Sequence, residues 1–354
     1  MSGDDRRSAG GCPTCPESAV TAEGYCETCG RKVPAGDDHA EIDLGLVAGV
    51  TDRGLRHYRN EDAMALATAP MPGGPVALAV VCDGVSTSSR ADEASKAAAQ
   101  AAMGVLLGAV RMGDDLGGAS QRAFEAAQQA LLALAAGGGN AGNAPSATFV
   151  AAVVTERDVK VCWLGDSRAY WLETGAGSTV DGTASDGTAS DGTSSDETGS
   201  DETGGGRSAA RQLTRDDSVA EELVARGLPE TDALASPAGH VVTGWIGADL
   251  SEAKPHVTTF APAGSGAVLL CSDGLWNYEQ DAARLAARAL PAALTDPLGA
   301  ARDLVSFAIG AGGHDNITVV LIPFPPRPDA GPPAGIFQPE AADEQEEELG
   351  ETPR

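Results

Sequence analysis

The sequence predicts a layered α+β fold. Short runs rich in β-branched residues, each bounded by turn residues, are typical of strands, and they occupy 75–83, 146–154, 158–166, 266–273 and 317–322. Stretches rich in Ala and Leu are long enough for helices, at 90–112, 118–136, 217–227 and 280–310, the last broken at Pro291 and Pro297. Because the strands come in bunches and the helices in pairs, packed layers are favoured over a strict β-α-β alternation.

Composition narrows the class of protein. The chain has 354 residues, a formal net charge of −27 and 42 % apolar residues, of which few are aromatic. So acidic a chain argues against nucleic acid or an anionic membrane surface as a partner. It has no 18-residue apolar run and no apolar segment after its N-terminus that would serve as a signal peptide. We therefore expect a soluble, cytoplasmic protein.

The chain divides into a core and three segments of biased composition. Residues 40–322 form the predicted core, and residues 1–39 are rich in Gly, Pro and Cys. The insertion at 174–206 contains five copies of an acidic pentapeptide, and the tail at 323–354 is Pro-rich and then acidic. The repeat and the tail carry −7 and −6 of the net charge, so both are predicted to be disordered. The insertion lies where a hairpin turn is expected, and long loops are tolerated there.

Four of the seven cysteines form two Cys-x2-Cys pairs, at Cys12, Cys15, Cys26 and Cys29. This spacing is typical of a structural zinc site with four thiolate ligands, here an N-terminal zinc ribbon. Disulfides or free thiols are the alternative, and the lack of a signal peptide argues against disulfides. The other three cysteines lie in apolar strands and are predicted to be buried: Cys82, Cys162 and Cys271.

Carboxylates stand at the ends of several predicted strands. The motifs are VVCDG at Asp83, LLCSDG at Asp273, GGHDN at Asp315, LGDSRAY at Asp166 and RNED at Glu61 and Asp62. Each motif alone is most often a plain turn. Several carboxylates gathered at one end of a fold would repel one another, so their gathering calls for a cation. Oxygen-only ligands favour Mg²⁺ or Mn²⁺.

Eight motifs in order resemble one family. They are TDRGLRHYRNEDA, VVCDGV, SATFVAAVV, GDSRAY, LTRDDS, GWIGAD, CSDGLW and HDNITVV, and they extend over about residues 43–322. The series is similar to the metal-dependent Ser/Thr protein phosphatases, the type 2C family. The resemblance implies a four-layer αββα sandwich, in which two antiparallel sheets are flanked by helix pairs, with a two-metal site at one end.

The resemblance also implies metal ligands. Asp83 matches the residue that bridges both metals, with the Gly84 carbonyl completing one shell. Asp273 and Asp315 match ligands of the first metal. The implied reaction is hydrolysis of phosphoserine or phosphothreonine by a water that the two metals activate.

The remaining carboxylates have implied roles that are less direct. Glu61 and Asp62 match residues that act on the second metal, mostly through water. Asp166 matches a residue that helps to hold a third, weaker metal in bacterial members. Asn277 stands where some members have an Asp for that third metal, so the third site is expected to be weakened.

One departure concerns the phosphate. The family usually places a phosphate-binding Arg three residues before the Asn of the NED motif, and here that position is His57. Arg56 and Arg59 flank it, and we expect one of these three residues to take over. The His that eukaryotic members carry after the Asp-Gly pair is also absent, since Val85 follows Gly84.

The leading hypothesis is a Ser/Thr protein phosphatase that uses Mn²⁺ or Mg²⁺. Its partners would be phosphorylated Ser/Thr proteins and a cognate Ser/Thr kinase, without nucleic acid or membrane. The alternative is a catalytically weak, phosphatase-like module that binds phosphoproteins or acts as a scaffold. Loss of a metal Asp would mark that alternative, yet Asp83, Asp273 and Asp315 are all present. A third hypothesis, a zinc-ribbon component of the transcription machinery, is disfavoured because the strongly acidic chain would be repelled by DNA.

Overall fold

The structure, a computed structural model, describes residues 27–28, 38–137, 143–173, 210–250, 253–326 and 336–337. Within them the strands are, in chain order, β1 His39–Asp43, β2 Ala48–Asp52, β3 Asp62–Met71, β4 Gly74–Asp83, β5 Ser146–Ala147, β6 Phe149–Val154, β7 Val159–Leu164, β8 Arg168–Leu172, β9 Arg211–Gln212, β10 Ile246–Gly247, β11 His256–Phe260, β12 Gly266–Cys271, β13 Ile317–Phe324 and β14 Ile336–Phe337. The helices are α1 Ala91–Met112, α2 Leu116–Ala136, α3 Val219–Ala225, α4 Glu230–Leu234, α5 Asp273–Trp276, α6 Ala282–Ala293 and α7 Pro297–Ala311.

The strands form two large antiparallel sheets. One has the order β1-β2-β13-β12-β8-β9 and the other the order β11-β7-β6-β4-β3-β14, while β5 and β10 pair separately. Three buried apolar clusters separate four layers. One cluster lies between α1, α2 and the second sheet, one between the two sheets, and one between the first sheet and α6 and α7. The predicted pair of antiparallel sheets with flanking helices is confirmed.

Strand β4 illustrates why the core strands are apolar without interruption. Val80 and Cys82 face the cluster below the helix pair α1 and α2, whereas Ala79 and Val81 face the cluster between the sheets. Successive side chains of a strand point to opposite faces, so a strand covered on both faces needs apolar residues at every position. The predicted burial of Cys82, and of Cys162 and Cys271, is confirmed, since all three are fully buried.

Local sequence signals fix the helix ends. The carboxylates of Asp115, Asp281 and Asp296 accept backbone hydrogen bonds at the first turns of α2, α6 and α7. Helix α1 ends at Gly113, which has a φ of 70° and donates to the carbonyls of the last turn. None of the helices in the described ranges is long and apolar enough to cross a membrane.

The predicted insertion joins two strands that are neighbours. Strand β8 pairs antiparallel with β9, with Tyr170 opposite Gln212 and Trp171 opposite Arg211. The chain therefore returns to the same sheet edge after the repeat, as expected for a hairpin. The repeat itself lies outside the described residues, as do the four N-terminal cysteines.

Several predicted boundaries were wrong. Pro291 does not break a helix: it lies within α6, which continues to Ala293. Asp273 does not end a strand: β12 stops at Cys271 and Asp273 opens α5. Past residue 323, β13 continues to Phe324, and β14 pairs with β3.

Candidate metal centre

The strand pairing brings five aspartates to one end of the two sheets. In the second sheet, β3 starts at Asp62 and β4 ends at Asp83, and these two residues are directly opposite each other. In the first sheet, Asp273 follows β12 and Asp315 precedes β13, its antiparallel partner. Asp166 lies in the turn before β8, which pairs with the other side of β12.

The carboxylates of this cluster lie close enough together to change one another's pKa values. Burial, and then repulsion from Asp62, Asp273, Asp166 and Asp315, raises the pKa of Asp83 well above its ordinary value. Burial and the same kind of repulsion raise the pKa of Asp273 in the same direction. Burial raises the pKa of Asp62 to about 6, and burial with repulsion from Asp216 raises that of Asp166 to about 7. Protons or cations must therefore neutralise this cluster.

Two carboxylate oxygens without hydrogen-bond partners indicate that the cluster suits cations better than protons. Asp62 Oδ1 and Asp273 Oδ1 are buried and have no hydrogen-bond partner. Buried polar atoms are rarely left so, and carboxylate oxygens are the ligands that Mg²⁺ and Mn²⁺ prefer. As they stand in the described ranges, no three His, Cys, Asp or Glu side chains are arranged so that they could hold a metal ion. The fit to a cation therefore depends on the unpaired oxygens and on the accumulated charge.

The carboxylate of Asp62 is held in one orientation by hydroxyl groups of the other sheet. Its Oδ2 accepts hydrogen bonds from Ser272 Oγ and Thr318 Oγ1, both at 2.7 Å. Thr51 Oγ1 lies 2.7 Å from Thr318 Oγ1 and extends the chain. Because Oδ2 is occupied in this way, Oδ1 is the atom left to bind a ligand. The sequence motifs gave no indication of Ser272 or Thr318.

The backbone around Asp83 and Gly84 is equally constrained. Asp83 N donates to Thr148 Oγ1 at 3.0 Å, and Gly84 N donates to the Glu61 carbonyl at 3.0 Å. A Cβ on Gly84 would overlap the carbonyl oxygen of Ala91. Only glycine fits between these two segments, which holds the Asp83-Gly84 turn against the loop that carries Glu61.

Glu61 lies beside the five aspartates with its own partner. Its side chain is buried and accepts a hydrogen bond from Arg59 Nε at 3.2 Å, while Arg59 Nη1 donates to Asp92 at 3.1 Å. Its backbone N donates to the side-chain oxygen of Asn316 at 2.8 Å. Asn316 is a structural link that the sequence analysis missed, since its partners are distant in the chain.

The three basic residues that are candidates for the phosphate contact differ in their distance from the carboxylates. His57 Nε2 lies 3.1 Å from Asp315 Oδ1, and Arg59 contacts Glu61, so both border the carboxylates. Arg56 is exposed and contacts neither. The sequence alone did not separate these three residues.

A buried tryptophan and a buried ion pair support the segments that carry Asp166 and Asp273. Trp276 Nε1 donates to the Asp166 carbonyl at 2.8 Å, and the Arg168 guanidinium lies 3.8 Å from the centre of the Trp276 ring. Arg168 forms a buried, two-pronged ion pair with Asp216 from the LTRDDS motif. On the solvent side, Asn277 Nδ2 donates to Asp273 Oδ2 at 3.1 Å, so the Asn277 amide contacts the site.

The molecule is thus a two-sheet sandwich with carboxylates gathered at one end of the sheets, an arrangement whose oxygen ligands suit divalent cations. Residues 53–305 match the sequence pattern of the family described as protein phosphatase 2C. That segment covers more than half of the chain, and the chain belongs to this family.

Individual relatives agree with this assignment. The serine/threonine phosphatase stp of Listeria innocua is 28 % identical over 178 residues, which are 49 % of this chain and 55 % of the relative. The chain thus spans about half the length of the curated relatives it matches. The Ser-Thr phosphatase MsPP of Mycobacterium smegmatis, solved with cacodylate, is 27 % identical with a TM-score of 0.51, covering 79 % of this chain and 99 % of that one.

A third likeness concerns the fold alone. The catalytic domain of the phosphatase PstP, solved with two manganese ions, has a TM-score of 0.53 at 22 % identity. The match covers 78 % of this chain and 97 % of that one.

Proposed function

We propose that the protein is a metal-dependent phosphatase that hydrolyses phosphoserine and phosphothreonine in proteins. The observation that carries the proposal is the meeting of five aspartates, two of them with unsatisfied buried oxygens, at one end of a protein phosphatase 2C sandwich. The physiological partner would be a Ser/Thr kinase whose products this enzyme reverses.

The chain offers ligands for two cations, Mn²⁺ or Mg²⁺. Asp83 would serve both, the Gly84 carbonyl would complete the shell of one, and Asp273 and Asp315 would hold the first. On the second, Asp62 and Glu61 would act mostly through water, and Asp166 would help to hold a weaker third cation. When bound, such cations supply charge neutralisation for the phosphate and a water made acidic enough to attack near neutral pH.

The chain's own residues orient the reaction. The hydroxyl groups of Ser272 and Thr318 keep Asp62 Oδ1 free for a ligand. We assign the phosphate contact to His57 and Arg59, because each touches a carboxylate of the centre. With no histidine after Gly84, solvent water supplies the proton to the leaving serine or threonine oxygen.

The test is phosphate release from a phosphothreonine peptide with and without Mn²⁺. We expect turnover that requires Mn²⁺ and falls about 100-fold or more in Asp273→Asn, since that variant loses a ligand charge. Asp303→Asn is the matched control, because Asp303 is exposed on α7, and it should keep wild-type turnover. A folded wild type that binds Mn²⁺ and the peptide but releases no phosphate would favour the phosphoprotein-binding module instead.

The N-terminal segment adds a separate proposal. Two Cys-x2-Cys pairs, at Cys12, Cys15, Cys26 and Cys29, support a structural zinc ribbon that selects partners and takes no part in the reaction. Elemental analysis of the full chain should find about one zinc ion per chain, lost in Cys12→Ser and kept in the control Ser18→Ala. Equal zinc content in the two variants would contradict the ribbon.

A further inference from the structure

The loop between β2 and β3 is fixed at its start against the Asp315 loop. Gly54 has a φ of 70°, and a Cβ there would overlap the carbonyl oxygen of Asp315. Leu55 N donates to the Gly313 carbonyl at 2.8 Å. The loop therefore leaves the sheet directly beside a candidate metal ligand.

Side-chain amide and guanidinium groups also hold this loop, by donating hydrogen bonds to its backbone carbonyls. Asn316 Nδ2 donates to the carbonyls of Arg53 and Arg59, at 2.8 and 3.1 Å. The Arg53 guanidinium donates to the carbonyl of His57. With its backbone held at both ends and in the middle, this loop, which we call the Leu55–Arg59 loop, is a preformed surface.

The outward side chains of the Leu55–Arg59 loop are unusually exposed. Tyr58 is 92 % exposed and Leu55 58 %, whereas the neighbouring His57 turns to Asp315. A large aromatic side chain left in water beside a reactive centre has no role in the core. Tyrosine offers flat apolar area and a hydroxyl group at low entropic cost, which is why it is enriched where proteins bind peptides.

The Leu55–Arg59 loop also carries a positive charge that is unusual for this acidic chain. Arg59 is engaged by Glu61 and Asp92, but in the part of the chain that the structure describes no carboxylate pairs with the exposed Arg56. This free cation stands out on a chain with a net charge of −27. An acidic peptide would be repelled by most of this surface, and Arg56 is where it would be attracted.

We propose that the Leu55–Arg59 loop binds the polypeptide around the phosphorylated residue, and that it favours substrates with acidic side chains next to the phosphate. Tyr58 packs against the peptide and Arg56 pairs with a flanking carboxylate. This inference rests on the proposed phosphatase function and narrows its substrate class.

The test compares two phosphothreonine peptides of equal length, one flanked by Asp residues and one by Ala residues. The readout is the ratio of kcat/KM for the acidic peptide to that for the neutral one, with Mn²⁺ at low salt. We expect a ratio above one in the wild type, reduced about tenfold in Arg56→Glu, since a like charge now faces the flanking carboxylate. Tyr58→Ala should lower kcat/KM for both peptides about fivefold, mainly through KM.

The control is Arg157→Glu, the same charge change at an exposed site in the turn between β6 and β7. That turn lies at the opposite end of the sheet from Asp83, since Val150 pairs near Asp83 and Val154 pairs with Ala77. The control should keep the wild-type ratio. The ratio should also approach one at high salt, because exposed charges are screened.

Two outcomes would overturn the inference, and they are distinguishable. A wild type that hydrolyses both peptides with a ratio of one, or variants that keep the wild-type ratio and KM, would contradict the loop's role while leaving the phosphatase intact. A wild type that hydrolyses neither peptide and also fails to hydrolyse p-nitrophenyl phosphate would contradict the proposed function. Anisotropy of the labelled acidic peptide would then test the loop alone, and equal affinity of wild type and Arg56→Glu would reject it.

Discussion

At the residue scale, one amide side chain ties two loops together. Asn316 accepts a hydrogen bond from Glu61 N and donates to the carbonyls of Arg53 and Arg59. Asn316 itself is 3 % exposed, and its hydrogen bond with Glu61 N is buried. Asn316 therefore positions Glu61 and the Leu55–Arg59 loop relative to Asp315, its neighbour in the chain.

Asn316→Ala should lower the free energy of unfolding by about 2–4 kcal/mol, because the buried Glu61 N–H and two part-buried carbonyls lose their partner. Urea denaturation followed by circular dichroism measures this, with Asn143→Ala as the control on an exposed residue. Equal midpoints for the two variants would mean that water replaces the Asn316 amide.

At the element scale, the sequence predicted the strongly patterned elements well. Strands β4, β6, β7 and β13 and helices α1 and α2 lie within a few residues of their predicted bounds. Strand β3 was missed, since DAMALATAPM is alanine-rich, contains Pro70 and is buried over most of its length. It shows neither the alternation nor the β-branched enrichment by which a strand is recognised.

The site was predictable to the same uneven degree. The aspartates were singled out because each stands in a short motif next to a predicted strand. Ser272, Thr318 and Asn316 were not, because hydroxyl and amide side chains are common and their partners lie more than 200 residues away. Only the pairing of strands from both halves of the chain brings them to Asp62 and Glu61.

The insertion between β8 and β9 gives a prediction at this scale. Deleting residues 178–206 shortens the connection from 38 residues to 9 between strands that already pair. Loop closure should then cost about 1.3 kcal/mol less, so the melting temperature should rise slightly. Turnover of a small aryl phosphate, measured alongside, should be unchanged. A large loss of turnover would mean that the repeat takes part in the site.

At the scale of the whole molecule, acidity and metal binding are linked. The raised pKa values of Asp62, Asp166, Asp83 and Asp273 mean that the folded, metal-free protein holds protons that the unfolded chain releases. Stability from these groups is fully present below pH 3.8, the unfolded value, and is lost as the pH rises through about 6 to 7. A bound cation replaces those protons, so its stabilising effect must grow over the same range.

We therefore expect the rise in melting temperature caused by Mn²⁺ to be small at pH 5.5 and larger at pH 7.5. Differential scanning calorimetry with and without Mn²⁺ at both values checks this. Asp303→Asn should behave as the wild type does. A Mn²⁺ effect that is independent of pH would mean that the cation binds away from the buried carboxylates.

The most direct test of the metal centre is a Mn²⁺ titration of the full chain, wild type against Asp83→Asn, by isothermal calorimetry at pH 7.5. Asp83 lies opposite Asp62 and is close enough to the other aspartates of the cluster to be repelled by them, so we expect about two bound ions in the wild type and loss of that binding in the variant. If Asp83→Asn bound Mn²⁺ with wild-type stoichiometry and affinity, the five aspartates would not be the metal centre.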